Sequence, residues 1–235
     1  MNVLPQIARL KGIALDLLFP QRCVGCGKWG YFICPFCRQS LSHIEPPLCP
    51  KCGRPQPSGI LCSACISWQA QIDGIRSPFR FDGAIRKAVH ELKYRNLRAI
   101  ASPLAELLNE YLAAHTVPAD VLVPIPLHPR RLRERGYNQS GLLALELGKL
   151  GQLPIVTSCL IRQRDTPPQA RTVSVEERRR NIAKAFICLD NRIRDQRILV
   201  IDDVATSGAT LDAAAGALKS AGASSVWGLT VAREI

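Results

Sequence analysis

The sequence predicts a parallel α/β sheet flanked by helices, preceded by a small cysteine-rich module. Three observations carry this. Eight of the ten cysteines fall within residues 23–65. Beyond residue 70, strand-like apolar runs occur at residues 121–125, 198–201 and 226–231. Helical patterns alternate with them, at residues 84–94, 102–115, 141–150 and 212–221. Strands that alternate with helices form parallel sheets, because each crossover returns the chain to the same edge direction.

Residues 1–19 place Ile7, Leu10, Ala14, Leu17 and Leu18 on one helical face and carry Arg9, Lys11 and Asp16, so an amphipathic docking helix is expected there. No apolar run reaches the roughly 18 residues that span a bilayer. No small-residue cleavage site follows a basic start, so an integral membrane segment and secretion are not expected, and a cytoplasmic location is.

The cysteine module, residues 20–70, holds four C-x-x-C pairs: Cys23/Cys26, Cys34/Cys37, Cys49/Cys52 and Cys62/Cys65. The intervening stretches have too little apolar periodicity for a core and need a staple. Each C-x-x-C turn presents two thiolates, and two turns complete a tetrahedral zinc site. Two structural zinc ions are therefore expected. Sequential pairing puts Cys23, Cys26, Cys34 and Cys37 on one, and Cys49, Cys52, Cys62 and Cys65 on the other; pairing across the halves is the alternative. Gly27 and Gly53 follow the first knuckle of each half, which reads as an internal repeat. A disulfide framework would need a secreted protein. Trp29, Tyr31, Phe32 and Phe36 are expected to pack a small ribbon core, a stacking platform for bases being the alternative. Cys159 and Cys188 stand apart and read as core cysteines. The boundary to the α/β part, residues 73–235, falls near residues 67–73.

The strongest signal for chemistry is residues 197–211. An apolar strand at 198–201 ends in Asp202 and Asp203, small and hydroxyl residues follow from Ala205, and an alanine-rich helix begins. Ligands of open α/β sheets bind beyond the carboxyl ends of the strands. A helix N-terminus offers free N–H groups to phosphate. Thr206, Ser207, Gly208, Ala209 and Thr210 suit a phosphate, with hydroxyl donors and a glycine for close approach. Asp202 and Asp203 would repel a phosphate but accept hydrogen bonds from a sugar diol, and a magnesium ion can bridge. The pattern fits a ribose 5-phosphate. The Gly-Lys-Ser/Thr element of a Walker loop and the Gly-x-Gly-x-x-Gly dinucleotide fingerprint are both missing.

Residues 197–211 resemble the phosphoribosyl-pyrophosphate motif of type I phosphoribosyltransferases. Three further stretches narrow the match: residues 123–139, with Arg-Gly-Tyr-Asn-Gln at 135–139; residues 162–171 together with Arg178, Arg179, Arg180 and Asn181; and Leu92-Lys-Tyr-Arg95. With the cysteine module they resemble the ComF/GntX group, implicated in natural transformation and the use of external DNA. The resemblance covers nearly the whole chain. Ser207 stands where many relatives have threonine and keeps the hydroxyl.

The resemblance implies a type I phosphoribosyltransferase fold behind a double zinc ribbon. It also implies a loop after residue 125 that holds pyrophosphate, with Arg130 and Arg131 supplying charge and His128 a donor; a plain turn residue is the alternative for His128. Arg133, Arg135, Asn138 and Gln139 follow at the next helix. Residues 162–175 read as the hood that closes over substrate, and residues 174–177 as a capping box starting the following helix. Lys93 either reaches the pyrophosphate or is a surface lysine.

The formal net charge is +12. Residues 1–72 hold seven basic and two acidic side chains, and the remainder 24 and 17. Such a surface attracts nucleic acid or phosphate-rich substrates. Two functions follow. One is a phosphoribosyltransferase in which phosphoribosyl pyrophosphate and magnesium meet a nitrogen nucleophile, with Asp202 and Asp203 on the ribose and metal. The other is a protein that binds single-stranded DNA, and works with DNA-uptake proteins, using the phosphoribosyl site as sensor or groove. The low aromatic content, 6%, weighs against the second, since single-strand sites stack bases on aromatic rings.

Overall fold

A computed structural model describes residues 21–163 and 185–235. The expected docking helix, the expected hood beyond residue 163 and the capping box with Arg178, Arg179 and Arg180 lie outside the described residues.

The predicted alternation is present. The central strands are β3 (Val121–Pro124), β6 (Arg197–Ala205) and β7 (Ser225–Arg233), all parallel. Two short strands, β1 (Gly74–Arg76) and β2 (Phe79–Arg80), lie in succession along the outer side of β7, giving the order β1-β7-β6-β3 with β2 beyond β1 on the same partner. The sequence reading missed both. Neither is long enough to show a period, and Pro78 between them has no N–H for a ladder. There Ser77 and Thr230 share a buried hydroxyl hydrogen bond of 2.6 Å.

Side chains of β6 alternate between two cores. Ile198 and Val200 pack with Leu211, Ala214 and Leu218 of α7 (Ala209–Ser220). Leu199 and Ile201 pack on the other face with helices α3 (Gly83–Tyr94), α4 (Ala101–Ala114) and α6 (Gln139–Gly151), the short helices α1 (Pro35–Gln39) and α2 (Ser63–Ile66) lying in the cysteine module. Both faces of β6 are therefore covered, and its first apolar run is fully buried, as a central parallel strand requires. A second, two-stranded sheet pairs β4 (Leu160–Arg162) antiparallel with β5 (Phe186–Cys188). Arg162, expected at the start of a loop, thus ends a strand and is buried; the ladder with Phe186 holds it extended.

Strand β6 also runs further than expected. Its ladder with β7 continues through Val204↔Ala232 and Ala205↔Arg233, so Asp202 and Asp203 sit inside the strand rather than after it. Aspartate disfavours strands, but here cross-strand pairing overrides local preference. The connection to α7 shrinks to Thr206, Ser207 and Gly208, while Ala209 and Thr210 form the helix's first turn.

Residues 67–73 are pinned to the α/β core. Trp68 and Ile72 are buried against it, and the N–H groups of Gln71 and Ile72 donate to Asp212 Oδ1 of α7 at 2.7 and 3.0 Å. Among the described residues no helix is long and apolar enough to cross a membrane.

Candidate functional site

The cysteines gather in the sequential pairing. Cys23, Cys26, Cys34 and Cys37 form one cluster and Cys49, Cys52, Cys62 and Cys65 the other, the sulfurs of each within 4.8 Å of one another. All are free thiols. A tetrahedron with Zn–S bonds of about 2.3 Å has edges of roughly 3.8 Å. The Cys26–Cys34 and Cys52–Cys62 sulfur separations, 3.6 and 3.7 Å, match that edge. Backbone N–H groups point at the sulfurs, from Cys34 to Cys23 Sγ (3.3 Å) and from Cys62 to Cys49 Sγ (3.4 Å). Burial raises the Cys23 and Cys49 thiols, yet such N–H donors outweigh it and bring both down to about 6. Burial and the neighbouring thiols push Cys37 up to about 12 and Cys65 up as well. Two sets of four sulfurs so placed fit two structural zinc sites.

The aromatic residues of the ribbon do not pack as expected. Trp29, Tyr31 and Phe36 are 52%, 43% and 74% exposed, and Arg22 stacks on Trp29 at 3.6 Å. Only Phe32 joins a core. In so small a module the interior at the first site is taken by Cys23, Cys34 and Cys37, which form a cluster of their own and leave the rings outside. Cys159 is buried, and burial pushes its thiol up to about 12; Cys188 is half-buried beside the α7 core.

At the carboxyl end of β6 lies a cleft of about 610 Å³. Asp202, Asp203 and residues Val204 to Thr206 line it, and the α7 N-terminus, Gly208 to Leu211, closes one side. Opposite stand Arg131 and Arg135 of α5 (Pro129–Arg135), Gln139, and the α3 residues Arg86, His90, Lys93 and Tyr94. Arg162 of β4 also faces it.

The two acids are held differently. Asp202 Oδ1 accepts from Ser140 Oγ at 2.8 Å and from the Asp203 N–H at 2.9 Å. Burial, and then the charge of Asp203, push its carboxyl up to about 7. Asp203 is 3% exposed; its Oδ1 accepts the Val204 N–H at 2.8 Å, and its Oδ2 faces Lys93 Nζ at 2.7 Å. Burial works against the Lys93 charge, but Asp203 outweighs it and raises the ammonium's pKa. Lys93 is thus not a surface lysine: it lines the cleft and pairs with Asp203.

Gly208 has φ +80° at the N-cap of α7, a left-handed conformation that glycine takes without strain. A Cβ there would come within 2.8 Å of Ile75 Cδ1 and 3.2 Å of the Trp68 ring. Beside it Ser207 Oγ accepts the Ala209 N–H at 3.4 Å, making Ser207 a local cap rather than a cleft residue.

The basic loop divides. Arg131 lines the cleft. Arg130 Nε donates to Glu134 Oε1 at 3.0 Å on the exposed side of α5, and neither Arg130 nor His128 is part of the cleft wall. His128 is the N-cap of α5, its Nδ1 accepting the Arg130 N–H at 3.3 Å. Arg133 is also off the wall, whereas Arg135 reaches Gln139 Oε1 and Gln139 is buried. Asn138 caps α6 and donates to the Ile125 carbonyl at 2.9 Å.

Sequence reasoning missed Ser140 and Arg233. Arg233, the last ladder residue of β7 against β6, is 1% exposed; its guanidinium donates to the carbonyls of Thr206 and Cys52. Burial lowers its pKa to about 10. Nothing local in the sequence marks either residue.

Comparison with known proteins follows the same division. A double zinc ribbon domain model matches residues 14–66, and a phosphoribosyl transferase domain model matches residues 135–233. The chain is 30% identical over 209 residues to competence protein ComFC of Bacillus subtilis, covering 86% of this chain and 84% of that protein. It is 31% identical over 206 residues to DNA utilization protein YhgH of Escherichia coli O157:H7, covering 85% and 88%. The chain belongs to the ComF family. This ComF-family chain also overlays on the solved structure of a glutamine phosphoribosylpyrophosphate amidotransferase from B. subtilis, with 18% identity and a TM-score of 0.40 over 59% of this chain and 30% of that one.

Proposed function

We propose that this ComF-family protein binds phosphoribosyl pyrophosphate with magnesium at the β6–α7 cleft. The observation that carries the reading is the juxtaposition of Asp202 and Asp203 with the open N-terminal turn of α7, in a cleft rimmed by Arg131 and Arg135. In this reading Thr206, Gly208, Ala209 and Thr210 take the 5-phosphate through backbone N–H groups and hydroxyls, with Ser207 holding the turn. The ribose hydroxyls donate to the carboxylates. Arg131 and Arg135 face the pyrophosphate end, where arginine's fork matches phosphate oxygens. Asp202 and Asp203 would hold magnesium, which would supply charge neutralisation for the pyrophosphate. Ser140 fixes the Asp202 carboxylate and Lys93 that of Asp203.

Such a site suits displacement of pyrophosphate from the anomeric carbon by a nitrogen nucleophile, with the arginines stabilising the departing charge. Calorimetry with magnesium and phosphoribosyl pyrophosphate, ribose 5-phosphate or pyrophosphate tests the binding. The whole ligand should bind more tightly than either fragment. Equal affinity for pyrophosphate alone would place the ligand outside the phosphate loop.

One observation favours a second role, single-stranded DNA binding on the ribbon. Trp29, Tyr31 and Phe36 are exposed on a basic module, with Arg22 stacked on Trp29. Exposed rings and cations together are what single strands stack on, and the relatives' names tie them to competence and DNA utilization. Trp29→Ala with Phe36→Ala should weaken binding of an oligonucleotide and leave phosphoribosyl pyrophosphate binding unchanged. Unchanged oligonucleotide affinity would remove this role.

A further inference from the structure

The two four-cysteine sites are seated differently. The first keeps its own small cluster of Cys23, Cys34 and Cys37 and leans on Ala84 of α3. The second is part of the sheet core: Cys49, Cys52 and Cys65 pack with Trp68 and Ile75 in the same cluster as Ala205, Ala209 and Leu211. Its knuckle is laced to β1, with the Ile75 N–H donating to the Lys51 carbonyl at 2.8 Å and Arg76 Nη1 donating to the Pro50 carbonyl at 3.0 Å. Ile75 and Trp68 are in turn the side chains that press on Gly208.

Arg233 completes the link. One guanidinium arm donates to the carbonyl of Cys52, a sulfur donor of the second site; the other donates to the carbonyl of Thr206 at 3.0 Å. A buried arginine is costly unless its hydrogen bonds are made. The side chain therefore holds both carbonyls in place at once. Turning the Thr206 carbonyl toward Arg233 also orients the peptides that follow it in the phosphate loop.

We propose that Arg233 is a positioning residue that couples occupancy of the second four-cysteine site to the conformation of the phosphate loop, while the first site is uncoupled from it. Metal at the second site fixes the Cys52 carbonyl, Arg233 is fixed by it, and Thr206 to Thr210 are held open. By thermodynamic reciprocity, a phosphate ligand on the loop tightens metal binding at the second site alone. Only this last consequence rests on the phosphoribosyl reading.

Hydrogen exchange of the full-length protein tests the coupling without a ligand. Cys62→Ser with Cys65→Ser, which keeps the first metal, should speed exchange of the hydrogen-bonded amides that flank the loop, Asp212 on the Gly208 carbonyl and Glu234 on the Ala205 carbonyl, at least ten-fold. Cys23→Ser with Cys26→Ser should leave them within two-fold of the parent. Arg233→Met should keep two zinc ions yet loosen the same amides, and Arg233→Lys should restore part of the protection, since an ammonium reaches one carbonyl at a time. Should Arg233→Met fail to fold, the comparison of the two cysteine pairs decides. Equal effects of the cysteine pairs, or fully protected amides in Arg233→Met, would overturn the proposal. In a second arm, a colorimetric chelator strips zinc from the parent with and without ribose 5-phosphate, which has no pyrophosphate to bind zinc itself. At equilibrium, the chelator concentration that half-removes one of the two ions should rise at least five-fold. If calorimetry shows that ribose 5-phosphate does not bind while the exchange pattern holds, the coupling stands and the phosphoribosyl reading falls. If it binds and both ions, or neither, are retained, the coupling falls.

Discussion

Replacing Asp202 with asparagine should make the ligand-free protein more stable at pH 8, even though it removes a central site residue. Burial and the charge of Asp203 raise the Asp202 carboxyl from 3.8 to about 7. A carboxyl raised in this way favours the folded state when protonated; its contribution is full below pH 3.8 and is lost as pH rises through about 7. At about 1.4 kcal/mol per pH unit, holding Asp202 ionised at pH 8 costs at most roughly 4 kcal/mol. Water in the open cleft and the coupling to Asp203 reduce this, so the expected gain for Asp202→Asn is about 1–3 kcal/mol. The asparagine Oδ1 still accepts from Ser140 and from the Asp203 N–H, so the local hydrogen bonds survive. Urea denaturation of parent and variant between pH 5 and pH 8, with zinc retained in both, gives the difference. It should shrink steadily as pH falls. A variant less stable than the parent at pH 8, or a difference independent of pH, would refute this account of how Asp202 is held.

Elemental analysis of protein purified without chelator should find two zinc ions per chain; one would remove one cluster's assignment, and a metal-free, folded ribbon would remove both. Arg131→Ala should weaken phosphoribosyl pyrophosphate binding by about 1.5–3 kcal/mol, the size of a charge-assisted hydrogen bond, in calorimetry. Arg130→Ala should change it by less than about 0.5 kcal/mol, because Arg130 spends its charge on Glu134 at the surface; equal losses would return both arginines to the cleft. Lys93→Met should destabilise the fold by about 3–5 kcal/mol by leaving Asp203 buried without its partner, and adding Asp203→Asn should recover most of it in urea denaturation. No recovery would mean that Lys93 acts through something other than Asp203.

What the sequence showed and what it hid divide along contact distance. The cysteine spacing specifies its own knuckles, so both sulfur clusters were legible, including their order. Residues 202–210 carry acids, hydroxyls and glycine in one local string, so this part of the cleft's lining was legible too. The partners of those residues come from elsewhere: Lys93 from α3, Ser140 from α6, Arg233 from the end of β7. Each is an ordinary residue in its own segment and gains its role only when the sheet assembles. The arginines of α5 were readable as a cluster but not by face, because which side of a short, exposed helix meets the cleft is set by tertiary packing. The aromatic residues of the ribbon were misread for a related reason: a module stapled by metal does not need rings inside it.

The most direct test of the phosphoribosyl site is calorimetry of magnesium and phosphoribosyl pyrophosphate on the parent and on Asp202→Asn with Asp203→Asn. Two lost charge-assisted interactions should cost about 3–6 kcal/mol, roughly 150-fold or more in affinity. The parent should bind and the double variant should not, with zinc content equal in the two. Undiminished affinity in the double variant would contradict the assignment of these acids to the ribose and its metal.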